Sequence, residues 1–125
     1  MPDSKRLQRI SDRIQQELSE MLIREISDPR LDKIFITDVT VDRELAYADV
    51  YFSAVEGHDR ANEIQKGLDH ANGFLRHQLA ERIELRVFPR LRFHWDPTPE
   101  KSDHIERLLA TIRKESEDKT KQTKK

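Results

Sequence analysis

Cysteine is absent from these 125 residues. That removes disulfide frameworks, thiolate metal sites and thiol nucleophiles, and it fits a reducing compartment. No apolar run approaches the roughly 20 residues of a membrane-spanning helix. The opening Met1-Pro2-Asp3-Ser4-Lys5-Arg6 holds no apolar signal core. The expectation is a soluble, cytoplasmic chain. Catalytic signatures are missing too. There is no His-Glu-x-x-His pair and no glycine-rich phosphate loop closing on Gly-Lys-Ser/Thr. The histidines His58, His70, His77, His94 and His104 are scattered. A hydrolase built on them or on the carboxylates is the least supported reading, so the expectation is a non-enzyme with no cofactor and no metal. No internal repeat is visible. Residues 1–114 have the length of one domain, and the tail 115–125 has no apolar residue, which predicts disorder.

A net charge of either sign is also lacking. Charged residues make up 38% of the chain, yet the formal net charge is −1. The signs are segregated instead. Between residues 38 and 63, Asp38, Asp42, Glu44, Asp49, Glu56, Asp59 and Glu63 face only Arg43 and Arg60, a net of about −5. Between residues 76 and 95, Arg76, Arg82, Arg86, Arg90 and Arg92 outnumber Glu81 and Glu84, a net of about +3. Such a distribution predicts an oriented field, basic on one side and acidic on the other.

Apolar spacing supplies the elements. Leu7, Ile10, Ile14, Leu18, Met21, Leu22 and Ile26 recur at helical intervals. Ser4 is a candidate cap, and Pro29 stops the helix near Ser27. Residues 33–41 are rich in β-branched side chains and predict a strand. From Leu45 to Val55 the chain alternates, with Ala46, Ala48, Val50, Phe52 and Ala54 on one face and Tyr47, Asp49, Tyr51 and Ser53 on the other. The two strands can form a hairpin, although no Asn-Gly or Asp-Gly turn joins them. A helix over Ala61, Ile64, Leu68 and Ala71 is expected to break at Ala71-Asn72-Gly73 and resume through Leu75, Leu79 and Ile83. A strand running to Asp96 then sets Leu85, Val87, Leu91, Phe93 and Trp95 against Arg86, Arg90, Arg92 and His94. A last amphipathic helix begins near Thr98 and Pro99 and carries Ile105, Leu108, Leu109 and Ile112. The order α-β-β-α-α-β, then α, predicts an α+β domain: a three-stranded sheet covered by helices on one face.

Four features point to nucleic acid, each beside a plainer reading. Gly73 inside a helical pattern costs about 1 kcal/mol relative to alanine. It marks either close approach of a ligand backbone or a kink or tight helix crossing. Arg86, Arg90 and Arg92 suit phosphate contacts, or a cross-strand ion-pair network with Asp38 and Asp49. Arg6, Arg9 and Arg13 share a helix face away from the apolar stripe and are either a further basic surface or a solvated face. Tyr47 and Tyr51 share a strand face on which bases can stack, or are ordinary strand surface. The alternative function is a protein-interaction module, a homodimer without direct RNA binding.

Motifs in order now carry a resemblance. Arg6-x-x-Arg9-Ile10, Asp28-Pro29-Arg30-Leu31, Thr37-Asp38-Val39-Thr40-Val41 and Ala46-Tyr47-Ala48-Asp49-Val50-Tyr51 are followed by Ala71-x-Gly73-Phe74-Leu75-Arg76. Leu85-Arg86-x-x-Pro89-x-Leu91-x-Phe93-x-x-Asp96 closes the series. Together they resemble the bacterial ribosome-binding factor A family from about Arg6 to Leu109. The resemblance implies a type II KH-like fold in which an Ala-x-Gly break replaces the Gly-x-x-Gly loop. It further implies a non-enzymatic assembly factor, acting as a monomer, that binds the immature small (30S) subunit and its 16S rRNA. It implies help in late 16S maturation, including the 5′ end, a role in growth in the cold, and release by an assembly GTPase. The residues expected to meet RNA are Arg6, Arg9, Arg13, Ala71, Asn72, Gly73, Arg76, Arg86, Arg90 and Arg92.

Overall fold

The computed structural model describes residues 4–100 and residue 110. Helix α1 (Ser4–Arg24) buries Ile10, Ile14, Leu18, Met21 and Leu22, the stripe read from the spacing. It ends before the expected Ser27. Asp28 instead caps a short turn, Pro29–Leu31, by accepting from the Arg30 backbone N–H at 2.9 Å. Strands β1 (Ile34–Val41) and β2 (Tyr47–Ala54) pair antiparallel, with a bulge between Ile36 and Asp38. A second short turn, His58–Arg60, leads into helix α2 (Ala61–Arg82). Strand β3 (Arg90–Trp95) then lies parallel to β2, giving the order β1-β2-β3. A parallel neighbour needs a long crossover, and α2 supplies it.

The hairpin closes without a glycine. The Asp42 carboxylate accepts from the backbone N–H of Ala46 (2.7 Å) and Tyr47 (3.0 Å), and Leu45 takes a left-handed φ of 55°. Ile14, Leu18 and Met21 of α1, with Ile64, Leu68, Leu75 and Leu79 of α2, share one core with Val50, Phe52, Leu91 and Phe93 of the sheet. The expected α+β layering, three strands covered on one face, is what this packing builds. The expected last helix and the tail 115–125 lie outside the described residues, except for helical backbone at 98–100 and at Ala110.

Two expectations are corrected. The helix does not break at Ala71-Asn72-Gly73; α2 is continuous from Ala61 to Arg82, so the observed order is α-β-β-α-β. Ile64, Leu68, Leu75 and Leu79 are all fully buried and stay in helical register across the glycine. Their shared burial outweighs the roughly 1 kcal/mol cost of one glycine. The last strand starts at Arg90 rather than near Leu85. Phe88 and Pro89 are consecutive and both buried, which ends the alternation, and proline has no N–H for a ladder. Val87, expected on the apolar face, is 69% exposed.

The glycines of α2 differ. A Cβ on Gly67 meets Leu31 Cδ2 at 2.9 Å and Arg30 Cβ at 3.2 Å, so Gly67 lets the Asp28–Leu31 loop press on the helix. A Cβ on Gly73 meets nothing within 4 Å. Gly67→Ala is therefore expected to destabilise the fold by about 1–3 kcal/mol. Gly73→Ala is expected to stabilise it by up to about 1 kcal/mol. Thermal unfolding of the two variants beside the parent checks both signs.

Candidate nucleic-acid interface

Arginines gather at the end of the sheet where β2 begins. The turn at Glu44, Leu45 and Ala46 faces the loop Leu85, Arg86 and Val87, and Arg6 of α1 joins them around an open groove of about 590 Å³. The Arg90 backbone N–H donates to Ala46 O at 2.9 Å, so β3 starts at the rim of this groove. Arg86 and Arg90 are exposed. Neither side chain has a partner among the described residues. Arg9 is exposed in the same way, one turn along α1 from Arg6. The opposite end of β2 is acidic, with Glu56, Asp59 and Glu63 around Arg60. Eight strand residues separate the two ends, about 25 Å. Glu44 at the groove tempers the basic end.

Other candidate residues have structural engagements. Arg13 bridges to Glu17 at 3.4 Å and reaches Arg82 O at 3.5 Å. Ala71 packs against the core. Asn72 donates to Leu91 O at 3.2 Å. Arg76 donates through Nη2 to Phe88 O at 2.7 Å and through Nε to Pro89 O at 3.2 Å. Arg90 and Asp96 donate to β2, so the odd-numbered carbonyls of β3 face its free side. Asn72 therefore blunts that open edge, and Arg76 fixes the loop that leads into it. Gly73 remains exposed beside them with open space over its Cα.

Arg92 does not belong to the free set. Its Nε and Nη2 donate to Asp49 at 2.8 and 2.9 Å, a bidentate pair. His94 Nε2 meets the same carboxylate at 2.7 Å. The ion-pair reading thus holds for Arg92 with Asp49, while Asp38 pairs with its own backbone, accepting from the Val39 N–H. Parallel register, which sets Asp49 opposite Arg92, has no local sequence signal; the shared strand-face parity of Asp49 and Tyr47 was the only clue. Asp96 was also missed as a tie: it accepts from Thr37 Oγ1 at 2.6 Å and from the Thr98 N–H at 2.9 Å.

Both carboxylates are held below their ordinary 3.8. The Arg92 hydrogen bond does this for Asp49, against partial burial and with help from His94. The Thr37 hydroxyl and then the Thr98 backbone do it for Asp96. A depressed folded-state value contributes stability above the unfolded pKa, and that contribution is lost as pH falls through the folded one. The urea midpoint should therefore drop as pH falls below about 4. Asp49→Asn should flatten that drop while lowering the midpoint at pH 7.

Among the described residues no group of three His, Asp or Glu is placed to hold a metal ion, and no helix is long and apolar enough to cross a membrane. A family model described as ribosome-binding factor A matches residues 6–109. The chain belongs to the ribosome-binding factor A family. A ribosome-binding factor A from Alcanivorax borkumensis is 44% identical over 111 residues, 88% of this chain and 81% of that one. Ribosome-binding factor A from Thermus thermophilus, in its crystal structure, is similar in fold with a TM-score of 0.64 at 24% identity, covering 71% of this chain and 93% of that one. A homology model of the Thermus thermophilus factor was fitted into an electron cryo-microscopy map of a complex with the 30S particle. It shares a TM-score of 0.55 and 26% identity with this chain, over 66% and 87% of the two. The KH-like character expected of the fold is that of the ribosome-binding factor A structures.

Proposed function

We propose that this chain is a cytoplasmic, non-enzymatic assembly factor that binds the immature 30S subunit through its 16S rRNA. It assists late maturation of that RNA, including the 5′ end, and supports growth in the cold. It acts as a monomer and is released by an assembly GTPase. Membership of the ribosome-binding factor A family carries this reading. The exposed arginines supply its physical basis: Arg86 and Arg90, with Arg6 and Arg9 beside them, suit phosphate oxygens. Gly73 gains weight here. Among the described residues no packing accounts for it, which favours close approach of an outside backbone. Arg92 is withdrawn from the phosphate set because Asp49 takes its charge, and Arg13 and Arg76 serve the fold.

Co-sedimentation with purified small subunits across a salt series tests the reading. Four phosphate contacts give a loss of roughly 50- to 150-fold in affinity between about 50 and 200 mM salt. Salt-independent binding, or none, contradicts it. Arg76→Lys separates holding the loop from holding phosphate. Lysine keeps the charge and loses the two-carbonyl clamp, so affinity should fall while the salt slope stays the same. Arg86→Ala instead takes a cation away from phosphate outright, and should lower the slope by about 1.

A further inference from the structure

The face of the sheet that the described helices leave open carries a second arrangement. Tyr47 and Tyr51 of β2 stand beside Arg92 and His94 of β3. The Arg92 guanidinium lies over the Tyr47 ring, its central carbon 4.0 Å from the centroid. The His94 ring is 5.2 Å from that of Tyr51, inclined at 31°. Asp49, between the tyrosines, accepts from Arg92 through both oxygens and meets His94 Nε2. One carboxylate therefore holds two planar groups by their edges. Arg92 stays 49% exposed and His94 43%, and Arg92 Nη1 has no partner among the described residues.

Asp49 also neutralises Arg92, so the patch offers a fixed flat surface more than a charge. Bare phosphate gains little there; an uncharged planar ring gains a stacking partner whose ordering cost is already met by the fold. We propose that this face binds an unpaired RNA base, stacked on the Arg92–Tyr47 pair with His94 alongside. Bases stack on guanidinium planes and on aromatic rings alike. Arg90 lies two residues along β3, roughly 7 Å away, and is unpaired, so it can take the adjoining phosphate. RNA fits better than an apolar peptide because the outward neighbours Asp38 and Thr40 are polar and exposed. This base-stacking site meets the phosphate groove only at Arg90, and it stands or falls on a different measurement.

The test uses the full chain and three probes: a single-stranded adenylate hexamer, a hexamer of the same backbone lacking bases, and free AMP. Nuclear magnetic resonance follows the Tyr47, Tyr51 and His94 ring signals at low and high salt. The adenylate hexamer should shift these signals, and the shift should persist at high salt. The base-free hexamer should leave them in place, and AMP should bind far more weakly than the hexamer. Arg92→Lys keeps a cation beside Asp49 but removes the plane, and should weaken hexamer binding at least roughly fivefold, the low end for one stacked base. Tyr47→Ala should do the same, with urea unfolding of both variants showing that the fold remains. Unchanged affinity in folded variants overturns the proposal. So do equal shifts from the base-free hexamer, or AMP binding as tightly as the hexamer. Ring signals that respond to ribosomal proteins and not to the hexamer make the face a protein-docking surface and overturn it too. Loss of small-subunit binding on changing Arg86, which lines the groove and lies outside the stacking face, reports on the groove alone.

Discussion

Replacing Arg86 and Arg90 together by glutamate is expected to weaken binding to purified small ribosomal subunits at least about a hundredfold near 0.1 M salt. Each arginine is exposed with no partner among the described residues, so each is available for a charge-assisted hydrogen bond worth roughly 1.5–3 kcal/mol. Tenfold in affinity is about 1.4 kcal/mol, and reversing the charge adds repulsion to the removal of both hydrogen bonds. The salt slope should fall by about 2. The unfolding midpoint should hardly move, because unpaired surface side chains change stability by about 0.5 kcal/mol or less. Arg92→Glu should instead cost stability. It sets two carboxylates together where Asp49 now holds a bidentate arginine, so stability falls first. A variant pair that lost stability and kept its binding per folded molecule would make Arg86 and Arg90 structural.

Phe52→Ala is expected to bring the largest loss of stability, about 3–5 kcal/mol. Phe52 is fully buried in the middle strand and packs edge-on against Trp95, with centroids 5.7 Å apart and planes at 81°. Domains of this size have roughly 5–15 kcal/mol in total, so the variant should be partly unfolded at growth temperature. Trp95 is the single tryptophan, and its emission during urea unfolding reads the change directly. A loss under about 1 kcal/mol would mean that the sheet and helices do not share the core described above.

Much of this fold was legible in local spacing. The alternation from Ala46 to Ala54 identified the buried face of β2, and the stripe from Ile10 to Leu22 identified that of α1. Gly73 misled because a residue that weakens a helix was weighed above the register of its neighbours. Ile64, Leu68, Leu75 and Leu79 keep one face across it, and burial decided the outcome. The hairpin lacked a standard turn signal, since a carboxylate, Asp42, takes the place of a glycine pair. The site was less legible than the fold. Which arginines stay free depends on what stands across from them in space. Arg92 and Arg90 look alike in sequence, yet the parallel register gives Asp49 to the one and Tyr47 to the other. Arg76 likewise looks like surface until the loop at Phe88 and Pro89 folds back on it. Segregated charge along the sequence was a coarse guide, since Asp42 and Glu44 of the acidic segment stand in the turn at the groove and Lys33 pairs with Glu56 at the other end.

Site-directed photo-crosslinking within the complex with immature small subunits tests the central claim most directly. A crosslinking residue would replace Val87 at the groove, Gly73 on α2, or Asp59 at the acidic end. Val87 and Gly73 should crosslink to 16S rRNA, in bands that vanish at high salt, and Asp59 should not. Crosslinks to rRNA from Asp59 alone, or from none of the three while the chain still co-sediments, would contradict an arginine-lined RNA interface.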